Sequence, residues 1–494
     1  MEGSFFCVFN GARVFLSLHI LMVCFMHEGC PYGVEGKITS HSLTVSSLLQ
    51  GCPYGVEGKI TSHSLPVSSL LPSPSCSPST SKASSGKSTL EVVHKHGPCS
   101  PLVQDPNPLN HTKVLLQDES RVKWIQSQSS NGSDGLKASA TASLPAKSGI
   151  TIGTGNYVVT IGLGTPKKDL TLVFDTGSDI TWTQCEPCTG SCYTQSEPIF
   201  NPSQSSSYAN ISCTATSCSQ LGSSGCSGST CPYSIGYKDG SYSIGIFATE
   251  KLTITPMEVI GNFEFGCGQN NSLLDKTAGL MGLSNDKISF VGQTAAKYGK
   301  YFSYCLPSSP SSTGHLTFGK DGGAVSSVSF TPLSTVRQSS QFYGISIQGI
   351  AVGGNRLSIP STVFSRGGAI IDSGTVISRL PPTAYGALRT AFRSAMANYT
   401  MAPAFHMFDT CYDFSKESRI TVPLITFSFA GGVDADLDHN GIVFIASTSQ
   451  VCLAFAPNQA DGNLTIYGNT QQKTFEVVYD VAGGKLGFRS NGCS

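Results

Sequence analysis

Two aspartates, far apart in the chain, have closely matched surroundings. The first lies in Val-Phe-Asp-Thr-Gly-Ser at residues 173–178 and the second in Ile-Ile-Asp-Ser-Gly-Thr at residues 370–375. If the two loops face each other, Asp175 and Asp372 share one desolvated space, where one carboxyl keeps a proton and the other does not. Such a pair can act as general acid and general base, activating a water against a peptide carbonyl without a metal or a covalent intermediate.

An ordinary turn is the competing explanation. In a chain rich in Gly and Ser, chance gives roughly one Asp-Ser/Thr-Gly triplet, and a single triplet is better explained as a turn. Here both triplets directly follow a strand-like apolar run, at residues 170–174 and 369–371, and both are followed by Ser or Thr. The matched context favours a paired carboxylate site over two unrelated turns.

The two residues after each aspartate have distinct expected tasks. Gly177 and Gly374 lack a Cβ, which lets two loops approach backbone to backbone. Thr176 and Ser373 can each donate a hydroxyl hydrogen bond to the opposite loop. These bonds would hold the two carboxylates nearly coplanar.

The fourth residue of each loop is a hydroxyl residue as well. Ser178 and Thr375 can bond the outer oxygens of Asp175 and Asp372. A hydrogen bond to the ionised form favours it, and so counteracts the repulsion between the two carboxylates.

The elements that position these loops belong to a chain of 494 residues, long enough for two lobes with appendages. Charged residues make up 13% and the net charge is zero, so no basic surplus points to nucleic acid. The apolar stretch 14–26 is too short to span a bilayer and is interpreted as part of a secretory signal peptide, residues 1–26. No later run is long enough for a membrane span.

Cysteine usage agrees with export. Twelve of the 18 cysteines follow residue 150, an even number that suits disulfides in an oxidising compartment. A zinc site is the alternative for the clusters at 185–192 and 213–231, but neither contains a nearby His or a second Cys-x-x-Cys, so no metal and no cofactor is predicted. Asn210, Asn270, Asn398 and Asn463 are candidate glycosylation sites.

The first 150 residues differ in character from the rest. Residues 29–50 recur almost unchanged as 51–72, a local duplication interpreted as having no catalytic meaning. The Ser- and Pro-rich stretch 73–88 and the Ser/Gly linker 127–143 are predicted to be disordered. Between them, residues 90–98 predict a strand and residues 113–128 a short helix.

From residue 155 onward, short apolar runs alternate with Gly, Pro, Asn and Asp. This pattern predicts many β-strands joined by tight turns, and therefore a mainly β fold. Helices are expected at 383–398, behind a Pro-Pro start, and at 286–298.

Over roughly residues 155–494 the chain resembles the pepsin-like aspartic endopeptidases, within them the plant nepenthesin-like branch. Trp182 lies seven residues after Asp175, as in that family, where the indole braces the flap tyrosine. The stretch 235–241 resembles the flap hairpin, which makes Tyr237 the flap tyrosine. Residues 278–283 and 464–469 resemble the apolar segments that cross behind the catalytic loops, and residues 475–488 resemble the C-terminal hairpin.

The resemblance implies a bilobal fold with a cleft between two β-rich lobes and few short helices. The expected divisions are a signal peptide at 1–26, a propeptide at 27–143, an N-terminal lobe at 144–335 and a C-terminal lobe at 336–494. The family's twelve-cysteine framework implies the pairs Cys185–Cys188, Cys192–Cys267, Cys213–Cys231, Cys218–Cys226, Cys305–Cys493 and Cys411–Cys452, a connectivity that sequence arithmetic alone cannot select.

Residues 90–102 look like the propeptide of the same plant group. The hypothesis is a zymogen in which a segment before about Leu144 covers the cleft and is removed on activation. The expected partners are polypeptide substrates, the chain's own propeptide as an intramolecular inhibitor, and pepstatin-type inhibitors. A monomer without a membrane partner is expected.

Two other functions compete with an acid endopeptidase. Some plant relatives keep this fold, have lost catalytic groups and inhibit glycan-degrading enzymes; the intact aspartate loops argue against that. A plastid relative is both protease and nucleoid protein, but the part after residue 143 lacks any Lys/Arg block for binding nucleic acid. The predicted location is extracellular or vacuolar, with the plastid as the alternative.

Overall fold

The computed structural model describes residues 6–9, 12–15, 61–78, 88–102, 110–130, 157–221, 228–236, 241–272, 276–320, 327–336 and 340–492. The chain divides into two compact units, Met1–Lys59 and Ile60–Ser494. The described residues of the first unit form two antiparallel strands, β1 (Phe6–Phe9) and β2 (Ala12–Phe15). Most of the predicted signal peptide lies outside the described residues.

The second unit is mainly β, as predicted. Its strands up to residue 332 are β3 (Ser62–Pro66), β4 (Thr89–His94), β5 (Tyr157–Leu163), β6 (Lys168–Asp175), β7 (Trp182–Gln184), β8 (Ala209–Asn210), β9 (Pro232–Gly236), β10 (Tyr242–Thr255), β11 (Glu258–Ser272), β12 (Gly279–Gly282), β13 (Tyr301–Cys305), β14 (Thr313–Phe318) and β15 (Ser329–Pro332).

The strands after residue 340 are shorter on average. They are β16 (Tyr343–Ile345), β17 (Ile347–Val352), β18 (Asn355–Arg356), β19 (Ala369–Ile371), β20 (Ser378–Leu380), β21 (Met401–Ala402), β22 (Cys411–Tyr412), β23 (Arg419–Pro423), β24 (Ile425–Phe429), β25 (Val433–Asp436), β26 (Val443–Ser447), β27 (Gln450–Leu453), β28 (Phe455–Pro457), β29 (Thr465–Tyr467), β30 (Glu476–Asp480) and β31 (Lys485–Arg489).

One large sheet spans much of the second unit. Its order is β15-β31-β30-β13-β14-β4-β5-β6-β12-β7-β11-β10-β8, with β9 paired to β10. The C-terminal hairpin β30–β31 therefore joins the strands of the first half. Strand β4, from the predicted propeptide, lies in the middle of this sheet between β14 and β5.

Smaller sheets build the second half, in the orders β16-β19-β29-β20-β28, β18-β17-β24-β25 and β21-β22-β27-β26. The change of sheet between β15 and β16 falls near the predicted lobe boundary at 335/336, which stays a prediction. Alternating burial along strands such as β25 follows from the two-residue period of the pleat.

The duplicated segment has a structural role in its second copy. Strand β3 pairs antiparallel with β23, and the side chains of Leu65, Val67 and Leu70 are buried. The prediction of disorder from residue 73 is wrong at its start, because a Cys76–Cys99 disulfide ties this segment to the end of the β4 region.

Helices are few among the described residues: α1 (His111–Ser130), α2 (Thr216–Gln220), α3 (Phe290–Gln293), α4 (Ala295–Tyr298), α5 (Thr362–Gly367), α6 (Pro382–Ala395) and α7 (His439–Ile442). The helices predicted near 113–128 and 383–398 are present as α1 and α6. The segment predicted at 286–298 forms two short helices instead, because the backbone leaves the helical conformation at Thr294. None of these helices is long and apolar enough to cross a membrane.

Candidate active site

The two aspartate loops are held by the same strand arrangement. Strand β6 ends at Asp175 and pairs in parallel with β12, so that Gly282 lies opposite Asp175. Strand β19 leads into Asp372 and pairs in parallel with β29. The backbone N–H of Asp372 donates to the carbonyl of Tyr467 at 3.1 Å, and that of Leu283 donates to the carbonyl of Asp175 at 2.9 Å.

The loops face each other through two reciprocal hydrogen bonds. The backbone N–H of Thr176 donates to Oγ of Ser373 at 3.1 Å, and the backbone N–H of Ser373 donates to Oγ1 of Thr176 at 2.9 Å. The expectation that these hydroxyls donate across the gap is wrong. They accept, because the amide at the start of each tight turn points towards the opposite loop.

The glycines allow this approach. A Cβ on Gly177 would lie 2.8 Å from Oδ1 of Asp372, and a Cβ on Gly374 would collide with Asp175. The backbone N–H groups of Gly177 and Gly374 also donate to Oδ1 of their own loop's aspartate, at 2.9 and 3.2 Å. Any larger residue at either position would push the carboxylates apart.

The outer oxygens of the aspartates have the predicted hydroxyl partners. Ser178 Oγ donates to Oδ2 of Asp175, and Thr375 Oγ1 donates to Oδ2 of Asp372 at 2.5 Å. Both aspartates are almost fully buried, so these bonds replace water that the carboxylates lose.

A third charged side chain occupies the site, and sequence reasoning did not identify it. Arg121 of helix α1 inserts its guanidinium between the two carboxylates. Its NH2 atom lies 2.7 Å from Oδ1 of Asp175 and 2.9 Å from Oδ1 of Asp372. NH1 donates to Oδ2 of Asp175 at 3.0 Å and Nε to Oδ2 of Asp372 at 2.9 Å. One planar cation therefore bridges both aspartates.

A second charged residue of the same helix also binds beside the site. Asp118 accepts from the backbone N–H groups of Val376 and Ile377 at 2.6 and 3.3 Å, and from NH2 of Arg379 at 2.9 Å. Farther along the helix, the side-chain amide of Gln126 donates to the carbonyl of Leu464 at 2.6 Å and accepts from its N–H at 2.9 Å.

Apolar side chains of α1 pack between these polar contacts. One group places Val114 and Leu115 against the side chains of Val376 and Ile377. A second group places Val122 and Ile125 against buried residues 342, 370, 464 and 466. The helix thus packs against the Asp372 loop with its first half and against residues 342, 370, 464 and 466 with its second half.

A sequence signal for Arg121 and Asp118 does exist. With 3.6 residues per turn, the apolar positions 114, 115, 122 and 125 define one face of α1, and positions 118 and 121 fall on that same face. Charges on a buried face require partners of opposite charge. The apolar periodicity alone predicted the helix but not the ion pairs of Asp118 and Arg121.

The carboxyl groups respond differently to this environment. Burial raises the pKa of Asp175 above its ordinary value, even though Arg121 opposes the shift. Burial acts in the same sense on Asp372, but Arg121 and the Thr375 and Gly374 hydrogen bonds outweigh it and hold the pKa below its ordinary value. Burial also raises the pKa of Asp118, against the opposing effect of Arg379.

A cavity adjoins the Asp175 loop. Its volume is about 170 Å³, and it is lined by Trp124 of α1 together with Ser178, Ile180, Tyr233, Ile235 and Ile288. Trp182 is completely buried in the neighbouring apolar cluster with Tyr233. Tyr237 lies outside the described residues, so its predicted contact with Trp182 stays a prediction.

The disulfides correct most of the implied cysteine pairing. The bonds are Cys185–Cys267, Cys188–Cys192, Cys218–Cys231 and Cys411–Cys452, and Cys213 and Cys305 are also disulfide-bonded. The pairs Cys185–Cys188, Cys192–Cys267, Cys213–Cys231 and Cys218–Cys226 are therefore wrong. Cys226 and Cys493 lie outside the described residues.

Strand pairing explains two of the observed bonds. Strands β7 and β11 run parallel, and the N–H of Cys185 donates to the carbonyl of Gly268, next to Cys267. The two sulfurs are thereby placed across one ladder, with 5.3 Å between the Cα atoms. Cys411 and Cys452 are direct partners of β22 and β27, as the predicted pair requires.

The candidate glycosylation sites differ in exposure. Asn210 and Asn398 are exposed, whereas Asn270 and Asn463 are half-buried. The side chain of Asn270 accepts from the N–H of Ser191 at 2.9 Å. In the part of the chain that the structure describes, no group of three or more His, Cys, Asp or Glu side chains is arranged to hold a metal ion.

Comparisons with known proteins agree with this geometry. Residues 157–320 match the family described as xylanase inhibitor N-terminal, and residues 342–490 match the xylanase inhibitor C-terminal family. An aspartyl protease family protein of Arabidopsis thaliana is 52% identical over 434 residues, covering 86% of this chain and 91% of that protein. Aspartic proteinase nepenthesin-2 of Nepenthes gracilis is 36% identical, covering 72% of this chain and 83% of that protein.

Solved structures share the fold. Conglutin gamma, a basic 7S globulin from lupine seeds, superposes with a TM-score of 0.56 at 21% identity, covering 69% of this chain and 93% of that chain. At this identity the likeness concerns the fold alone. Taken with the two matched aspartate loops and the relatives above, it follows that the chain belongs to the pepsin-like aspartic protease family.

Proposed function

We propose that this protein is an aspartic endopeptidase made as a zymogen, in which helix α1 blocks the two catalytic carboxylates until it is removed. The observation that carries the proposal is the shared contact at the dyad: one nitrogen of Arg121 lies within hydrogen-bond distance of the inner oxygens of both Asp175 and Asp372. Two carboxylates this close to one nitrogen can also share one water.

The catalytic cycle follows from that spacing. When Arg121 withdraws, a water held between the inner oxygens gives a proton to the ionised carboxyl as it attacks the peptide carbonyl. The protonated carboxyl hydrogen-bonds the carbonyl oxygen, and a proton is then returned to the departing amine. Asp175 and Asp372 titrate as a coupled pair, so the single proton belongs to both.

The position of α1 supports the zymogen part of the proposal. The helix falls within residues 27–143, the predicted propeptide, and its guanidinium fills the space that a substrate carbonyl and a water would need. Strand β4 of the same segment is paired on both sides within the large sheet.

The expected partners are polypeptide substrates, pepstatin-type inhibitors and the chain's own propeptide; a monomer is proposed.

A binding protein without catalysis is the second candidate, because the matching family models are described by xylanase inhibitors. Both aspartate loops, with their glycines and hydroxyl partners, favour the enzyme.

The disulfides suit an oxidising compartment, and we propose export to the cell exterior or vacuole, with the plastid as the alternative.

The test is cleavage of an unfolded protein by the full chain after acid treatment, with and without pepstatin. Asp175→Asn and Asp372→Asn should each reduce the rate by about a hundredfold or more, because each removes one acid–base partner. Asp434→Asn, an exposed aspartate of β25, is the matched control and should not change it. Activity that survives either dyad substitution would exclude this mechanism, and xylanase inhibition without any proteolysis would favour the binding protein.

The zymogen part has its own readout. N-terminal sequencing of the active form should begin after residue 130, beyond helix α1. A fully active form that starts upstream of His94 would retain both β4 and α1, and would contradict the zymogen.

A further inference from the structure

The carboxylate of Asp118 is bound by hydrogen-bond donors that lie in the C-terminal half, outside the predicted propeptide. Two backbone N–H groups and one guanidinium converge on it, at 2.6, 3.3 and 2.9 Å. The side chain of Asp118 is completely buried, and that of Arg379 is 5% exposed. Each of the two carboxylate oxygens of Asp118 therefore accepts at least one hydrogen bond.

The donors are fixed by the C-terminal half itself. Arg379 NH1 donates to the carbonyl of Ile377 at 2.8 Å, which orients the guanidinium independently of α1. The carbonyl of Val376 accepts from the N–H of Thr470 at 3.1 Å. The donors should therefore keep their positions when α1 leaves.

Departure of α1 leaves this set without its anion. Among the described residues, the one ion pair of Arg379 is that with Asp118. Arg379 and the two N–H groups are then three converging donors without an acceptor, so the vacated position favours another carboxylate.

The donor set lies beside the catalytic pair, within reach of a bound substrate. Asp118 and Arg121 are three residues apart on α1, which is about 4.5 Å along the helix axis. An extended peptide advances about 3.3 Å per residue. A substrate residue within about three positions of the scissile bond can therefore place its side chain here.

We propose that Arg379 and the N–H groups of Val376 and Ile377 form a subsite that binds the carboxylate of a substrate Asp or Glu at one fixed position near the scissile bond. This inference rests on the proposed endopeptidase activity and names its substrate class: polypeptides with an acidic residue at that position. Asp118 occupies the subsite in the full chain, as Arg121 occupies the dyad.

The test is a positional scan with the acid-processed protein. Peptides that share one scissile bond carry Asp, Asn or Lys at each position up to four residues on either side, and kcat/KM is measured at about pH 5, where a free Asp is ionised. At one position, Asp should exceed Asn by about tenfold, the low end of the size expected for hydrogen bonds to a charged group, because the desolvation that raises the pKa of Asp118 in this place offsets part of the gain. Lys should be the poorest residue there.

Substitution of the arginine identifies the subsite. Arg379→Met should reduce the Asp/Asn ratio to about one while Asn peptides are still cleaved, and Arg379→Lys should leave an intermediate ratio. Arg389→Met is the matched control, because Arg389 in α6 also pairs with an aspartate, Asp409, in the same half. That control should keep the wild-type ratio.

The outcomes separate the two proposals. Cleavage without preference for Asp at any position, or a preference that survives Arg379→Met, overturns the subsite and leaves the endopeptidase intact. If no peptide is cleaved, the proposed activity fails, and fluorescence anisotropy of the same peptides on the acid-treated chain then tests the subsite. Equal affinity for Asp and Asn peptides would overturn it.

Discussion

The two aspartate loops are built alike, yet helix α1 is held very unequally by them. At the Asp175 loop, the hydrogen bonds that α1 makes with described residues are those of Arg121 with the carboxylate. At the Asp372 loop, Arg121 binds again, Asp118 binds the following residues, and Val114 and Leu115 pack on the same segment. The difference indicates that α1 is docked on the C-terminal half and reaches the N-terminal loop mainly through one arginine.

The cavity beside the Asp175 loop adds to this contrast. The cavity of about 170 Å³ beside Ser178 and Ile180 remains open next to Trp124. Helix α1 therefore leaves a space beside the Asp175 loop unfilled. If the chain is a zymogen, as proposed above, its latency should depend on the charged contacts of α1 more than on complete filling of the space beside the dyad.

The largest expected effect comes from breaking the one contact that both loops share. Arg121→Ala leaves two buried carboxylates without a counter-charge, a change worth about 3–5 kcal/mol for a buried pair. We expect the unprocessed chain to hydrolyse a peptide at a pH where the wild-type chain is latent. The initial rate before any cleavage of the chain measures this.

Lys123→Ala is the control on the same helix, since Lys123 is exposed. It should leave latency unchanged. Equal latency of the wild-type chain and Arg121→Ala would mean that apolar packing of α1 is sufficient to block the site.

A smaller effect should separate the two hydroxyl partners. Ser178 bonds Asp175, whereas Thr375 bonds Asp372 and also accepts from Nε of Arg121 at 3.3 Å. Ser178→Ala and Thr375→Val should both lower kcat of the processed enzyme by about tenfold, as expected for a lost bond to a charged group. Thr375→Val alone should also speed acid processing of the full chain, measured by gel electrophoresis over time.

Each of these two variants serves as control for the other. If Ser178→Ala and Thr375→Val speed acid processing equally, the hydrogen bond between Thr375 and Arg121 does not contribute to holding α1 in place. In that case the asymmetry between the loops would arise from Asp118 and the apolar packing.

Much of this site could be predicted from sequence because its determinants are local. Each loop carries its own aspartate, glycine and hydroxyl residues within four positions, so their spacing specifies the turn and its hydrogen bonds. The strands before them are short apolar runs of the kind that a pleated sheet selects. The mainly β fold and helices α1 and α6 followed from such local patterns.

Several of the predictions that failed depend on contacts between distant segments. The cysteine pairing between residues 185 and 267 is set by the parallel alignment of β7 with β11, which no local spacing encodes. Arg121 binds Asp175, which lies 54 positions away in the sequence, and Asp372, which lies 251 positions away. Two charged residues on the apolar face of a helix indicate that each needs a partner of opposite charge. The sequence pattern does not identify those partners.

The smallest predicted effect concerns pH and again contrasts two carboxylates. The pKa of Asp372 is held below its ordinary value of 3.8, so its contact with Arg121 stabilises the fold above that value and is lost as the pH falls through the lowered pKa. The pKa of Asp118 is raised by burial, so its ionised form is costly at neutral pH and that cost is relieved as the pH falls. Acidification therefore weakens one contact and relieves the other.

A variant in which Asp118 cannot titrate should reveal the loss of stability caused by protonation of Asp372. Because Asp118→Asn cannot take up a proton, its Tm should fall more than that of the wild-type chain between about pH 6 and about pH 3. Glu119→Gln on the same helix should follow the wild-type profile. Identical profiles for Asp118→Asn and wild type would mean that Asp118 is already protonated at pH 6, and that α1 is held beside Arg379 by hydrogen bonds without an ion pair.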